Sequence, residues 1–404
     1  MRALLVLGLS LAPLACSSPS TSGTPYTGKT GQPTAATLTE NVFVLPVTID
    51  GKSGPQLIVD TGSPVVVVNP ASAMGGIPSG IGSVAALGVA GLSFANAAVI
   101  GADIIQAPGA SIPISGVLGC TILCSLPVAF NYRDRQLTFG AGPLPGAIEA
   151  TGGDSAFRLA GGGRAQLPGV KGTVDLPASR ILVTATIEGI EHPFIIDTGA
   201  SSVFVRKSLF AKVTADGRGQ LKSQVSTVEG EASTTLFRLR SVALGGAEVK
   251  SAPAAQSATI DGLLDGVGQE VGQPIDGLLG GTFLREFFVT IDYPASHVSL
   301  RRYATRDHIV DEGSRIGIEL SSASGVVAVT RVFPGTDAEK QGVKVSDRIA
   351  SIDGQPTDKV AQSDLAGRIS GTVGSSHVVQ FGCAGCTGFT GTRTLRVDDL
   401  LPLP

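Results

Sequence analysis

The chain has no tryptophan, only two methionines and four tyrosines, and little charge, 16% of its 404 residues with a net of −3. No basic block stands out, so a nucleic-acid partner finds no support. Four histidines, His192, His297, His308 and His377, are scattered and form no metal-ligand pattern. No Gly-x-Ser-x-Gly element frames a serine nucleophile. Helical periodicity is scarce, and no uninterrupted apolar run reaches transmembrane length, the N-terminal one being too short. Glycine and proline are plentiful instead, 54 and 24 residues set among short β-branched runs. That composition reads as a mainly β protein with frequent turns, long enough for two or three modules.

Two copies of one motif organise the first three-quarters of the chain. Ile58-Val59-Asp60-Thr61-Gly62-Ser63 and Ile195-Ile196-Asp197-Thr198-Gly199-Ala200 each put a carboxylate at the end of an apolar strand, ahead of a tight Thr-Gly turn. Upstream of each lies a β-branched stretch, Val47-Thr48-Ile49-Asp50-Gly51 and Ala185-Thr186-Ile187-Glu188-Gly189. Downstream come Gly116-Val117-Leu118-Gly119 and Gly277-Leu278-Leu279-Gly280, then Phe130-Asn131-Tyr132 and Ile291-Asp292-Tyr293. From closing Gly to Tyr is 13 residues in both halves (119 to 132, 280 to 293). One Asp-Thr-Gly alone can be a turn in which Asp caps its own backbone. Two copies among the same ordered landmarks form an internal repeat, and a repeated half-site suits paired-carboxylate chemistry.

On these motifs residues 39–303 resemble the aspartic protease superfamily, pepsin-like in having two lobes in one chain and retropepsin-like in lobe size. The resemblance implies a two-lobed acid-protease β-barrel fold, with lobes at 39–145 and 176–303 and a dyad of Asp60 and Asp197. It implies that Thr61 and Thr198 grip each other across the loops, and that the apolar-apolar-Gly elements support the Asp loops from beneath. Gly62 and Gly199 allow close backbone approach, with Ser63 and Ala200 completing the loops. Two carboxylates about 3 Å apart share one proton, because both cannot ionise cheaply. The ionised member activates a water held between them and the protonated one polarises the scissile carbonyl, with no metal or cofactor. At the one informative position where the two halves differ, Ser63 against Ala200, a Ser63 hydroxyl donating to Asp60 favours the charged form there. On that basis Asp60 is the more readily ionised partner and Asp197 holds the proton.

Leu87-Gly88 and Leu244-Gly245, taken as matching landmarks, follow their aspartates by 27 and 47 residues. The extra length in the second copy is enough for one hairpin. Val225–Val228 and Thr234–Phe237 read as its strands, around a turn at Glu229, Gly230 and Glu231. We expect this hairpin to be the flap over the cleft. Pepsin-like enzymes carry theirs on the first lobe, with a tyrosine, and this chain departs from that pattern.

The last hundred residues form a different unit. Gly325–Thr330 reads as a buried strand and Phe333-Pro334-Gly335 as a turn. Thr336-Asp337-Ala338-Glu339 has capping-box spacing before a short helix that ends at Gln341-Gly342. Val345–Ile349 and Ser351–Pro356 supply the next strand and turn. This order resembles a PDZ domain of bacterial envelope proteases over 312–400, implying a β-sandwich with two helices. Arg315, Ile316, Gly317 and Ile318 match its carboxylate-binding loop, and a helix near Gln362–Ile369 matches the opposite wall. PDZ domains bind a chain terminus as an added edge strand, although such a domain can also pack on the lobes and bind nothing free.

Arg2, the apolar Ala3–Leu14 and Ala15-Cys16 read as an export signal over 1–15. It resembles a bacterial lipoprotein signal, implying lipidation at Cys16, with plain cleavage after Ala15 as the alternative. Residues 16–38 read as a flexible tether, and 146–175, containing Gly161-Gly162-Gly163, as a connector with little regular structure. The other cysteines fall into two local pairs, Cys120 with Cys124 and Cys383 with Cys386, read as disulfides of an exported protein. The whole reads as an aspartic endopeptidase facing the periplasm or cell surface, or else secreted. Its partners are peptide or protein substrates and a peptide at the PDZ groove, and it touches membrane only through the lipid anchor. The alternative is a non-catalytic envelope scaffold acting through that groove.

Overall fold

Each half of the repeat starts from a hairpin whose turn chemistry sets its geometry. Asp50-Gly51 and Glu188-Gly189 both take positive φ at two successive residues, 49° and 78° in one, 49° and 85° in the other. Such two-residue turns match the right-handed twist of the flanking strands, and glycine meets the second positive φ without a Cβ penalty. In the computed structural model, which describes residues 2–5, 24–71, 77, 79–102, 113–142, 148–166, 173–227, 230–323, 325–358, 360, 362–382 and 390–404, both hairpins grow into closed barrels.

The first barrel consists of β1 (Val42–Ile49), β2 (Lys52–Val59), β3 (Val66–Val68), β4 (Gly80–Val89), β5 (Leu92–Gly101) and β6 (Gly116–Leu118). They close in the order β1-β2-β6-β3-β5-β4 and back to β1. The second is built from β7 (Arg180–Ile187), β8 (Ile190–Ile196), β9 (Val203–Val205), β10 (Gly230–Leu244), β11 (Ala247–Gln256) and β12 (Gly277–Leu279). It closes in the same order, β7-β8-β12-β9-β11-β10 and back to β7. Closure removes the unpaired edges of a small sheet. Strands β1 and β7 share even their burial pattern, four buried residues followed by inward–outward alternation.

A six-stranded sheet joins the lobes, in the order Ile148–Ala156, His297–Tyr303, Phe287–Asp292, Val128–Asn131, Gln136–Phe139, Pro33–Ala35. Its central pair is antiparallel and relates the two halves, with Val128 opposite Ile291 and Asn131 opposite Phe288. Two sequence expectations are corrected here. The connector is largely stranded. Ile148–Ala156 is an edge of the shared sheet, Arg158–Ala160 pairs with β7, and Gly163–Gln166 forms a hairpin with Thr173–Leu176. Gly153 serves close packing, since a Cβ there would lie 2.5 Å from the Ala247 nitrogen. The tether is likewise ordered from Thr24 on, where Tyr26–Gly28 pairs with β5 and Pro33–Ala35 closes the shared sheet.

The C-terminal domain has its own core, including Ile316, Ile318, Val329, Leu365 and Leu395. Its sheet runs Ile318–Ala323, Val326–Val332, Arg348–Ile352, Ser376–Phe381, Gly391–Arg396, with helices at Asp337–Lys340 and Gln362–Ile369. The capping box forms in altered shape. Thr336 donates to the Phe333 carbonyl, and Glu339 reaches back past Thr336 to the Gly335 N–H at 2.7 Å. The domain packs on the second lobe. Leu401 is fully buried in that lobe's cluster with Phe204, Leu236 and Leu264, a contact that contributes about 1.5–3 kcal/mol. Around it Arg238 pairs with Asp311 at 2.8 Å and Arg285 with Glu312 at 2.5 Å. Among the described residues no helix is long and apolar enough to cross a membrane.

Candidate active site

The Asp loops are positioned by the same three contacts in each lobe. Strand β6 runs parallel to β2, pairing Leu118 with Val59, as β12 does to β8, pairing Leu279 with Ile196. The Asp60 N–H donates to the Leu118 carbonyl and the Asp197 N–H to that of Leu279, both at 3.1 Å. Just beyond, the Cys120 N–H donates to the Ser63 carbonyl and the Gly281 N–H to that of Ala200, at 2.9 and 2.8 Å. Gly119 and Gly280 leave room for this, since a Cβ there would lie 2.2 Å from the Val65 oxygen and 2.1 Å from the Ser202 oxygen.

The threonines lock the two loops together. Thr61 N–H donates to Thr198 Oγ1 at 3.1 Å, and Thr198 N–H to Thr61 Oγ1 at 3.0 Å. Each hydroxyl in turn donates into the other lobe, Thr61 to Ile196 O at 3.0 Å and Thr198 to Val59 O at 2.8 Å. All four bonds are buried, where an unmade one costs about 1–3 kcal/mol. The glycines then bring the carboxyls face to face. A Cβ on Gly62 would sit 2.8 Å from Asp197 Oδ2, and one on Gly199 2.6 Å from Asp60 Cγ.

Asp60 is fully buried and Asp197 only 3% exposed. Gly62 N–H donates to Asp60 Oδ1 at 2.6 Å, and Gly199 N–H to Asp197 Oδ1 at 2.9 Å. Burial, then the charge of Asp197 and a carboxyl–carboxyl hydrogen bond, push Asp60 well above the usual carboxylate range. Burial also raises Asp197, but the Asp60 hydrogen bond, the Gly199 and Ala200 amides and the charge of Arg180 all oppose it. Both carboxyls are thus raised, and the buried pair favours holding one proton between them. The basis drawn from Ser63 for an ionised Asp60 is absent. The Ser63 hydroxyl donates to the Val65 carbonyl at 2.9 Å, so it does not favour a charge on Asp60.

The shared sheet lies against the pair. Tyr132 and Tyr293, one from each half, are buried, and burial raises both phenols far out of the titrating range. The charges of Asp197 and Asp60 respectively add to that. Both hydroxyls are without a hydrogen-bond partner among the described residues. Arg180, which sequence reasoning missed, is also buried, its Nε 3.2 Å from Glu270 on the helix Ala258–Val271. The available signal was a break in the repeat, where the barrel-opening strand of one half begins with Val42 and that of the other with Arg180. Among the described residues no cluster of histidine, cysteine, aspartate and glutamate could hold a metal.

The expected hairpin is present. Leu221–Thr227 pairs with β10 from Leu221 opposite Leu236 to Thr227 opposite Gly230. Val203 and Phe237 both pair with Ala254, which sets the hairpin at the Asp197 end of the barrel. Gly230 and Glu231 lie in β10, whereas Glu229 lies outside the described residues. The matching turn of the first barrel is Ala90-Gly91, which aligns with Gly245-Gly246, so the Leu87-Gly88 landmark was two residues out of step.

Cys120 and Cys124 form a disulfide at the first lobe's short helix, while Cys16, Cys383 and Cys386 lie outside the described residues. In the C-terminal domain Arg315 is buried, turned inward to the Glu312 carbonyl and stacked over Phe333. The Ile316 N–H donates to Ile369 O at 3.0 Å, so one amide of the expected carboxylate loop is engaged within the domain. Gly317 takes φ +73° against Thr336, and Ile318 opens the edge strand.

Residues 183–283 match the aspartyl protease family model and residues 307–382 the PDZ domain model. The first match covers the second lobe and the second the C-terminal domain, so an aspartyl-protease-like segment and a PDZ-like segment share this chain. The family match spans Asp197, and the same barrel order and loop contacts recur around Asp60. Among solved structures, an aspartic proteinase from Irpex lacteus is similar over 69% of this chain and 99% of that one, at 15% identity and TM-score 0.45. A photosystem II D1 C-terminal processing protease is similar over 22% of this chain and 24% of its own, at 26% identity and TM-score 0.20. No curated protein matches the sequence.

Proposed function

We propose that the chain is an aspartic endopeptidase whose dyad is Asp60 and Asp197. The observation that carries this is the reciprocal threonine grip, which holds two buried carboxyls face to face. Asp197 takes a proton from a water between the carboxyls while Asp60 gives its proton to the carbonyl oxygen, yielding a tetrahedral gem-diol. Return of a proton to the leaving nitrogen breaks the C–N bond. Substrates are extended peptide segments that enter when the hairpin Leu221–Thr227 and its partner lift from the cleft. The PDZ domain adds a peptide beside its edge strand Ile318–Ala323, against the helix Gln362–Ile369. Export, with lipid attachment at Cys16, places the enzyme in the bacterial envelope.

The test is incubation of the purified protein with a diverse peptide mixture from about pH 3 to 7, read by mass spectrometry. Cleavage by the wild type that disappears in both Asp60→Asn and Asp197→Asn is expected. Equal silence in all three would favour the scaffold reading.

A further inference from the structure

The symmetry of the dyad is broken by one buried charge. In the first barrel Val44 faces Ile58, and the ladder continued by two steps sets Val42 level with Asp60. In the second barrel Ile181 faces Ile196, which sets Arg180 level with Asp197. A fully buried valine thus stands in one half where the other has a guanidinium, itself 2% exposed. Nε of that guanidinium is held by Glu270, whose other oxygen accepts the Gly162 N–H at 3.2 Å. The helix carrying Glu270 is anchored at its start by Ser257, which accepts the Ile260 N–H. Arg180 Nη2 is buried without a hydrogen-bond partner among the described residues, and so are the Ser179 hydroxyl and Asp60 Oδ2. An ion pair spends its charge locally, but here Nε is bound while Nη2 has no hydrogen-bond partner among the described residues.

We infer that Arg180 is a positioning residue that decides which carboxylate of the dyad is the anion: level with Asp197, it stabilises the charge there and leaves the proton on Asp60. The inference rests on the paired-carboxylate reading above. The charged and titratable groups around it come from four elements. Glu270 on the helix offsets part of the cation. Tyr132 and Tyr293 of the shared sheet stay neutral through burial. Asp60 and Asp197 on the two loops feel Arg180 together, and its charge opposes the rise that burial causes in both. Arg180 touches no reacting atom. It keeps the pair singly ionised to lower pH than burial alone allows.

The experiment compares the full chain as wild type, Arg180→Met, Arg180→Lys and Glu270→Gln. The pH dependence of kcat/KM and the titration of 13C-labelled aspartate carboxyls are read together. Arg180→Met should move the acid limb and the lower titration step up by about one pH unit. Arg180→Lys should restore most of that shift, and Glu270→Gln should move both readings down. If Arg180→Met fails to fold because Glu270 is left buried and unpaired, the double variant Arg180→Met with Glu270→Gln removes both charges and should show the same upward shift. Unmoved limbs and titration steps in the folded variants overturn the inference. A wild type that cleaves nothing defeats the protease reading instead, and the carboxyl titration still decides whether Arg180 sets the proton.

Discussion

Asp60 and Asp197 depend on a handful of atoms, so single substitutions separate support from chemistry. Thr198→Val keeps the shape but strands the Thr61 N–H and the Val59 carbonyl in the interior. It should cost about 2–6 kcal/mol by chemical denaturation, two unsatisfied groups at about 1–3 each. The aspartates themselves should show the opposite sign. Their proton affinities are raised on folding, so the folded state binds more protons and loses stability as pH rises from the ordinary carboxylate value of 3.8 through the raised ones. Asp60→Asn should therefore raise Tm at pH 7 and lose that advantage near pH 4, and thermal melts at the two pH values check it. The roles of Thr61, Thr198, Gly62 and Gly199 were legible in sequence because a doubled motif constrains both partners at once. Ser63 was misread because a hydroxyl chooses among nearby acceptors, and the Val65 carbonyl two residues on is closer to hand.

At the scale of elements, repetition carried the barrels. Paired turns such as Asp50-Gly51 and Glu188-Gly189 announce their hairpins, and the apolar-apolar-Gly strands announce the parallel crossings beside the aspartates. The connector carried no such signal. Its strand Ile148–Ala156 is rich in small residues and is ordered by its partner His297–Tyr303, a long-range pairing that local composition does not encode. The helix Ala258–Val271 depends on its cap: Ser257→Ala should cost about 1 kcal/mol. It should also loosen the Glu270 contact to Arg180, visible as a small shift of the acid limb. Replacing residues 222–235 by a short turn removes the outer hairpin while keeping the β10–β11 pairing nearest the barrel. The expected result is a retained fold with a KM raised about tenfold or more, measured by steady-state kinetics on one peptide.

Across the whole molecule, ion pairs join the C-terminal domain to the lobes alongside the buried Leu401. Glu312, entering the PDZ domain, binds Arg285 of the second lobe and lies 3.4 Å from Asn41 of the first. Asp311 beside it binds Arg238. Glu312→Ala leaves Arg285 buried without its carboxylate and should destabilise the second lobe by about 3–5 kcal/mol, seen as a lower unfolding midpoint. Arg331 of the PDZ sheet donates to the Lys222 carbonyl at the foot of the hairpin, so the domain touches the element beside the cleft. None of this docking was legible in sequence, because Leu401 and the two acidic residues carry no motif and acquire meaning only against the surface they meet.

The most direct measurement is kcat/KM for Asp60→Asn, Asp197→Asn and the double variant on one cleaved peptide, with folding verified for each. A dyad that works through one shared proton predicts that each single change costs about 10³-fold or more, and that the double costs no more than either alone. Retained activity in either single variant, or losses that multiply in the double, would contradict it.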